Sequence, residues 1–177
     1  ISELTLLAFR KGSKETSLIQ PDGVRHSEKK HGESVKWRFE KSYDLITVTK
    51  PLSGLWVLDS EVDKDNRVMI VTDLKLVVDD LPAYSTPDKA LDIQLELHDK
   101  NKKISKNSFL KFVDFKLVHN ASGNVQNFDL HIKESSDTND KGIYLQQIEA
   151  PLAEGEHELL VNVDARTFNR SKRFNIQ

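Results

Sequence analysis

Asp59, Glu61, Asp63 and Asp65 alternate along one stretch and run into Asp63-Lys64-Asp65-Asn66, a carboxylate spacing superficially like that of a calcium loop. An EF-hand counted from Asp63 needs glycine at the sixth position and a bidentate glutamate at the twelfth, where this chain has Val68 and Leu74. The candidate calcium ligands are therefore Asp63 and Asp65 at a hairpin, with Asp73 added for an ion held between two domains. The competing reading is a solvated strand face and a type I turn. The six histidines, His26, His31, His98, His119, His131 and His157, have neither the i, i+4 pairing of a zinc protease helix nor any tight clustering in sequence. His98 and His131 fall on the polar parity of their segments, which predicts exposed surface.

Other catalytic patterns are missing from the sequence. There is no Gly-x-Ser-x-Gly elbow, and no Ser/His/Asp arrangement has a supporting context. The seven glycines never come within three residues of one another, so no phosphate-cradling loop is written here. The expectation is a chain that is not an enzyme and takes no cofactor.

Binding chemistry has more candidates. Trp37, Trp56, Tyr43, Tyr84 and Tyr144 are the rings that a glycan-binding face would use. Trp37 shares apolar parity with Val35 and Phe39, which predicts a core position. Trp56 follows Gly54 and Leu55 and is read either as core on a strand buried on both faces or as a plug between domains. Lys100, Lys102, Lys103 and Lys106 crowd one hairpin, and Arg166, Arg170, Lys172 and Arg173 crowd the last. These are read as a solvated loop and a charge-blunted sheet edge, or as a contact with anionic envelope material.

The elements that must position these residues are strands. Leu91-Asp92-Ile93-Gln94-Leu95-Glu96-Leu97-His98 alternates without a break, and Val35–Glu40, Phe128–Lys133 and Leu159–Ala165 repeat the period-2 signature of a strand with one buried face. About a dozen such runs are separated by turn chemistry such as Pro21-Asp22-Gly23 and Ser122-Gly123-Asn124. Residues 105–112 break parity, so either a single helical turn or a bulge is expected there. From Leu74 onward seven strand-like segments fall at 74–80, 91–98, 109–119, 125–133, 142–149, 157–165 and 168–176, the immunoglobulin-type count. The apolar stretch Val68–Val78 is too long for one strand, which places a boundary near Thr72-Asp73. The expected organisation is all-β, with two tandem β-sandwich domains: a small one over 1–72 and an immunoglobulin-like one over 73–177.

With 28 Asp+Glu against 26 Lys+Arg, a net charge of −2 and 37% hydrophobic residues, the 177-residue chain lacks the basic excess of a nucleic-acid binder. The absence of cysteine removes disulfide scaffolds, cysteine-ligated metal and thiol catalysis. No apolar run is long enough to span a bilayer as a helix. The chain starts at Ile1, and it is read as a segment of a longer or processed protein, so that membrane attachment would come only through segments outside it.

Tyr43–Val48, Pro51-Leu52-Ser53-Gly54-Leu55-Trp56-Val57-Leu58 and Asp65–Leu74 resemble the β-sandwich region that follows a von Willebrand factor A-type domain in uncharacterised gammaproteobacterial envelope proteins. Gly142-Ile143-Tyr144, Glu154–Val163 and Thr167-Phe168-Asn169-Arg170 resemble the immunoglobulin-like domain of the same proteins, with His157 where a tyrosine is usual. The resemblance implies a non-enzymatic stalk or interaction module, located in the periplasm or at the cell surface. Its partner would be another protein or an upstream domain of the same chain. Gly54, Trp56, Tyr144, Trp37 and the Leu91, Ile93, Leu95, Leu97 face would carry the structure. The ion-binding D-x-S-x-S motif of the upstream domain is absent, so its metal chemistry does not transfer. The alternatives are an accessory carbohydrate-binding module and a calcium-dependent adhesion module.

Overall fold

In a computed structural model of the chain, residues 1–61, 69–132 and 137–177 are described. The regular secondary structure of the described residues is almost wholly antiparallel β, arranged in several sheets. They cluster into two units, one of Ile1–Leu74 with Arg166–Phe168 and one of Lys75–Ala165 with Asn169–Gln177.

The described residues of the first unit form two sheets. The larger contains β1 (Glu3–Phe9), β4 (Val35–Glu40), β5 (Tyr43–Thr49) and β7 (Met69–Thr72), in the order β4-β5-β1-β7. The smaller contains β2 (Ser17–Ile19), β3 (Arg25–Ser27) and β6 (Val57–Asp59), in the order β3-β2-β6. Alternation explains the large sheet only in part, because β5 is buried from Tyr43 through Val48 on both faces. Its Ile46 and Val48 join Leu6, Leu18 and Val35 in a core, with Leu4, Trp37, Trp56 and Leu58 packed around it. On the other face Thr5 and Thr47, both buried, satisfy each other through a 3.0 Å hydroxyl pair.

The described residues of the second unit also form two sheets. One is built from β8 (Leu74–Val78), β9 (Leu91–Asp99), β10 (Lys102–Lys103), β13 (His131–Ile132) and β14 (Ile143–Ile148). The other is built from β11 (Asp114–Ala121), β12 (Asn124–Asp129), β15 (His157–Asp164) and β16 (Asn169–Ile176), in the order β12-β11-β15-β16. Leu91, Ile93, Leu95 and Leu97 are all buried, as alternation requires, and so are Phe115, Leu117, Leu159, Val161 and Val163. Tyr144 stacks on Phe115 with ring centroids 3.6 Å apart. Burial pushes its phenol well above the usual range.

The parity break is a helical turn, α1 (Asn107–Leu110), which buries Phe109 and Leu110, and the strand expected from residue 109 therefore starts only at Asp114. Between β7 and β8, Asp73 takes a left-handed φ of 63°. Gly142 is fixed by space as well as by its φ of 81°, since a Cβ there would sit 2.3 Å from the Ile104 carbonyl oxygen.

Candidate functional site

Among the described residues two polar constellations and one apolar cavity stand out, each within one unit.

In the first unit, Asp44 is fully buried on the same β5 face as Ile46 and Val48. Thr16 donates its hydroxyl to Asp44 Oδ2 at 2.6 Å, and the Trp37 indole N–H donates to Oδ1 at 2.9 Å. Arg10 Nε lies 2.6 Å from Oδ2, with side-chain exposures of 3% and 1% for the pair. That N–H is poorly aimed, and Arg10 Nε counts as an orphaned donor by hydrogen-bond geometry, so the contact is an ion pair rather than a hydrogen bond. Arg10 also donates to the Glu40 carbonyl oxygen and lies 4.5 Å over the Phe39 ring. The carboxylate thus has its charge matched and both oxygens engaged, which commits it to holding β1, β4, β5 and the Thr16 segment together. The sequence carried a faint signal for this: a lone acid inside an otherwise apolar run.

In the second unit, His119 and His157, each 4% exposed, stack with centroids 5.1 Å apart and an interplanar angle of 4°. Cross-strand register brings them together. His119 lies opposite Leu159 and Ala121 opposite His157, so the two rings are diagonal neighbours on the core face of β11 and β15. The histidines therefore do form a tight pair, contrary to the expectation from their sequence spacing. The missed signal was parity, because both fall on the apolar positions of their strands.

The hydrogen bonds order the protons in this pair. His157 Nε2 lies 2.8 Å from the Ala153 carbonyl oxygen, which can only accept, so Nε2 carries the hydrogen and Nδ1 is bare. His119 Nε2–H then donates to that Nδ1 at 2.8 Å. His119 Nδ1 lies 3.2 Å from Gln126 Oε1, an acceptor, so this contact is a hydrogen bond only when Nδ1 also carries a hydrogen. Burial is the main cause holding His119 below its ordinary pKa; the Gln126 contact opposes it and His157 adds to it.

The third constellation is apolar. In the first unit a cavity of about 550 Å3 opens between the sheets, lined by β1, β2, β6 and β7 and by the loop 51–56. Leu6 and Leu18 at its floor are 5% and 1% exposed, whereas Leu55 and Ile70 at its rim are 77% and 60% exposed. The cause is a mismatch in strand length. β1 has seven residues and β2 and β6 have three each, so the small sheet cannot cover the large one end to end. Gly54, at φ 134°, lets the wall loop pass Pro21, because a Cβ there would sit 2.8 Å from the proline ring.

The tryptophans fall short of full burial. Trp37 is half-buried on a stripe that runs from buried Val35 to Phe39, which is 50% exposed. Trp56 is half-buried, lines the cavity and turns its N–H back to the Leu52 carbonyl oxygen at 2.9 Å. It precedes β6 rather than lying within a strand buried on both faces.

The remaining candidates are dispersed. Asp63 and Asp65 lie outside the described residues, and Asp73 is half-buried. Among the described residues no three His, Asp or Glu side chains converge as metal ligands. Asp59 is tied to Lys14 at 2.8 Å and to Arg25 at 3.5 Å, and Lys14 foremost holds its carboxyl below the usual range. On edge strand β16, Arg170 lies opposite Val163 and Lys172 opposite Val161, on the parity of the core face. Arg173 points to the other face, 3.3 Å from Glu158. Arg166 lies 3.8 Å from Glu40. The four cations therefore do not form one patch, and charges at core parity on an edge strand oppose edge-to-edge pairing. Among the described residues no helix is long and apolar enough to cross a membrane. No protein-family model matches the chain, and no curated protein matches it in sequence.

Proposed function

We propose that the chain is a non-enzymatic structural and interaction segment of a bacterial cell-envelope protein. In this reading it consists of two tandem β-sandwiches, the second immunoglobulin-like. It acts as a stalk or spacer, in the periplasm or at the cell surface, that holds an upstream domain at a set distance and offers its own surface to a protein partner. The observation that carries this reading is the use made of the buried reactive groups. Asp44 is consumed by Arg10, Thr16 and Trp37, and the His119–His157 pair by Ala153 and Gln126, so these buried groups are spent on cohesion.

The carbohydrate-binding reading has less behind it, because a sugar platform needs exposed flat rings and Trp37 and Trp56 are both half-buried with their N–H groups internally bonded. Small-angle X-ray scattering on the chain tests the spacer. A rigid stalk gives one elongated particle whose maximum dimension is the same at low and high salt. A broad distribution of dimensions, as two freely tethered bodies give, sinks the proposal.

A further inference from the structure

The opening between the two sheets of the first unit goes beyond the stalk reading and does not depend on it. We propose that it is a binding slot for one unbranched aliphatic chain, the acyl tail of a single-chain amphiphile.

The chemistry of the walls selects the ligand. Among the described residues no charged side chain lines the slot, and Ser53 supplies the one side-chain hydroxyl. The Trp56 indole N–H is already bonded to the Leu52 carbonyl oxygen, so the ring offers the slot only its apolar surface. A sugar entering here would strip water from its hydroxyls without finding partners. A charge carried down to the Leu6 and Leu18 floor would lose its hydration among apolar side chains.

Shape narrows the choice further. The volume of about 550 Å3 lies within the roughly 300–1,000 Å3 of small-molecule sites. Packed sheets stand about 10 Å apart, which excludes a helix of about 10–12 Å diameter, whereas an extended hydrocarbon chain needs only the space that missing side chains leave. The tail would lie against Leu6 and Leu18 at the floor and Trp56 at the wall, with its polar end leaving between Leu55 and Ile70.

The test is a titration of the full chain with straight-chain alkanoates of increasing length, each held below its aggregation concentration. It is followed by calorimetry and by tryptophan emission. One tail should bind per chain, with affinity rising about fourfold per added methylene until the slot is full. A bromine-labelled chain should quench the emission, and most of that quenching should disappear in Trp56→Phe. Leu55→Asp and Ile70→Asn change exposed rim positions and leave the fold intact by circular dichroism; each should weaken binding at least tenfold, and Val125→Asn should not. Affinity independent of chain length, or unchanged in both rim variants, overturns the proposal. So does binding to phosphatidylcholine vesicles without binding of the monomeric alkanoate, or a dimer formed through this face that the alkanoates fail to dissociate. Loss of the slot would leave the scattering result for the stalk untouched.

Discussion

Acidification should weaken the second unit through the buried histidine pair, by an amount the linkage relation bounds. An unfolded histidine titrates near pH 6.5. His119 is held below that value, mainly by burial. Above pH 6.5 neither state takes up the proton, and the stability linked to this group is fully present. As the pH falls through 6.5 the unfolded chain binds a proton that the folded chain resists. Stability then drops with a limiting slope of about 1.4 kcal/mol per pH unit, levelling off below the folded pKa. For a domain of this size each 1 kcal/mol corresponds to roughly 4–8 °C in melting temperature. A proton on His119 Nδ1 can be met by the Gln126 amide oxygen 3.2 Å away, which limits how far burial resists it.

The assay is urea unfolding between pH 8 and pH 5, followed by far-UV circular dichroism and by tryptophan emission. Trp37 and Trp56 both belong to the first unit, so their emission is an internal reference for the half of the chain without this pair. That reference has its own mild acid sensitivity, since His26 is lowered by burial foremost and accepts the Gly32 N–H on Nδ1. The variant His119→Gln keeps a donor toward His157 and removes the titration. The parent should therefore lose its advantage over the variant as the pH falls below 6.5. Parallel stability curves for the two proteins across that window would refute the reasoning.

Two further perturbations address the first unit and the backbone. Arg10→Met strands Asp44 as a buried charge without its counter-ion and should cost about 3–5 kcal/mol, read by tryptophan emission in urea; a loss under about 1 kcal/mol would show that the ion pair holds nothing. Gly142→Ala meets both a positive φ and the Ile104 carbonyl oxygen, whereas Gly123→Ala, at φ 90°, has nothing within 4 Å. The second should cost about 1–3 kcal/mol for backbone strain alone and the first clearly more, and equal losses by thermal unfolding would count against the overlap.

What was legible in the sequence was whatever depends on one strand at a time. Period-2 alternation placed the Leu91–Leu97 face, the β11 and β15 segments and most turns, because burial of one face of a strand is a local property of its residues. Contacts across strands were not legible. His119 and His157 are far apart in the chain, and only the register that sets Ala121 opposite His157 turns two parity positions into a stacked pair. Asp44 shows the same gap, since nothing local says that Arg10, Thr16 and Trp37 converge on it.

The apolar slot escaped for a different reason. One of the two readings of Trp56 makes Leu55–Leu58 a strand buried on both faces, yet Leu55 is 77% and Val57 43% exposed. Hydrophobic sequence says that a segment would gain from burial; it does not say whether enough chain lies opposite to bury it. In the first unit the covering strands β2, β3 and β6 have three residues each, about 10 Å of cover for a β1 some 23 Å long at about 3.3 Å per residue. The deficit falls where the 51–56 loop replaces strand, and there the core meets solvent. Lengthening the short sheet would close this opening and stabilise the unit. The open end is thus a cost in cohesion, and an aliphatic ligand seated in it would offset that cost by supplying the missing contacts.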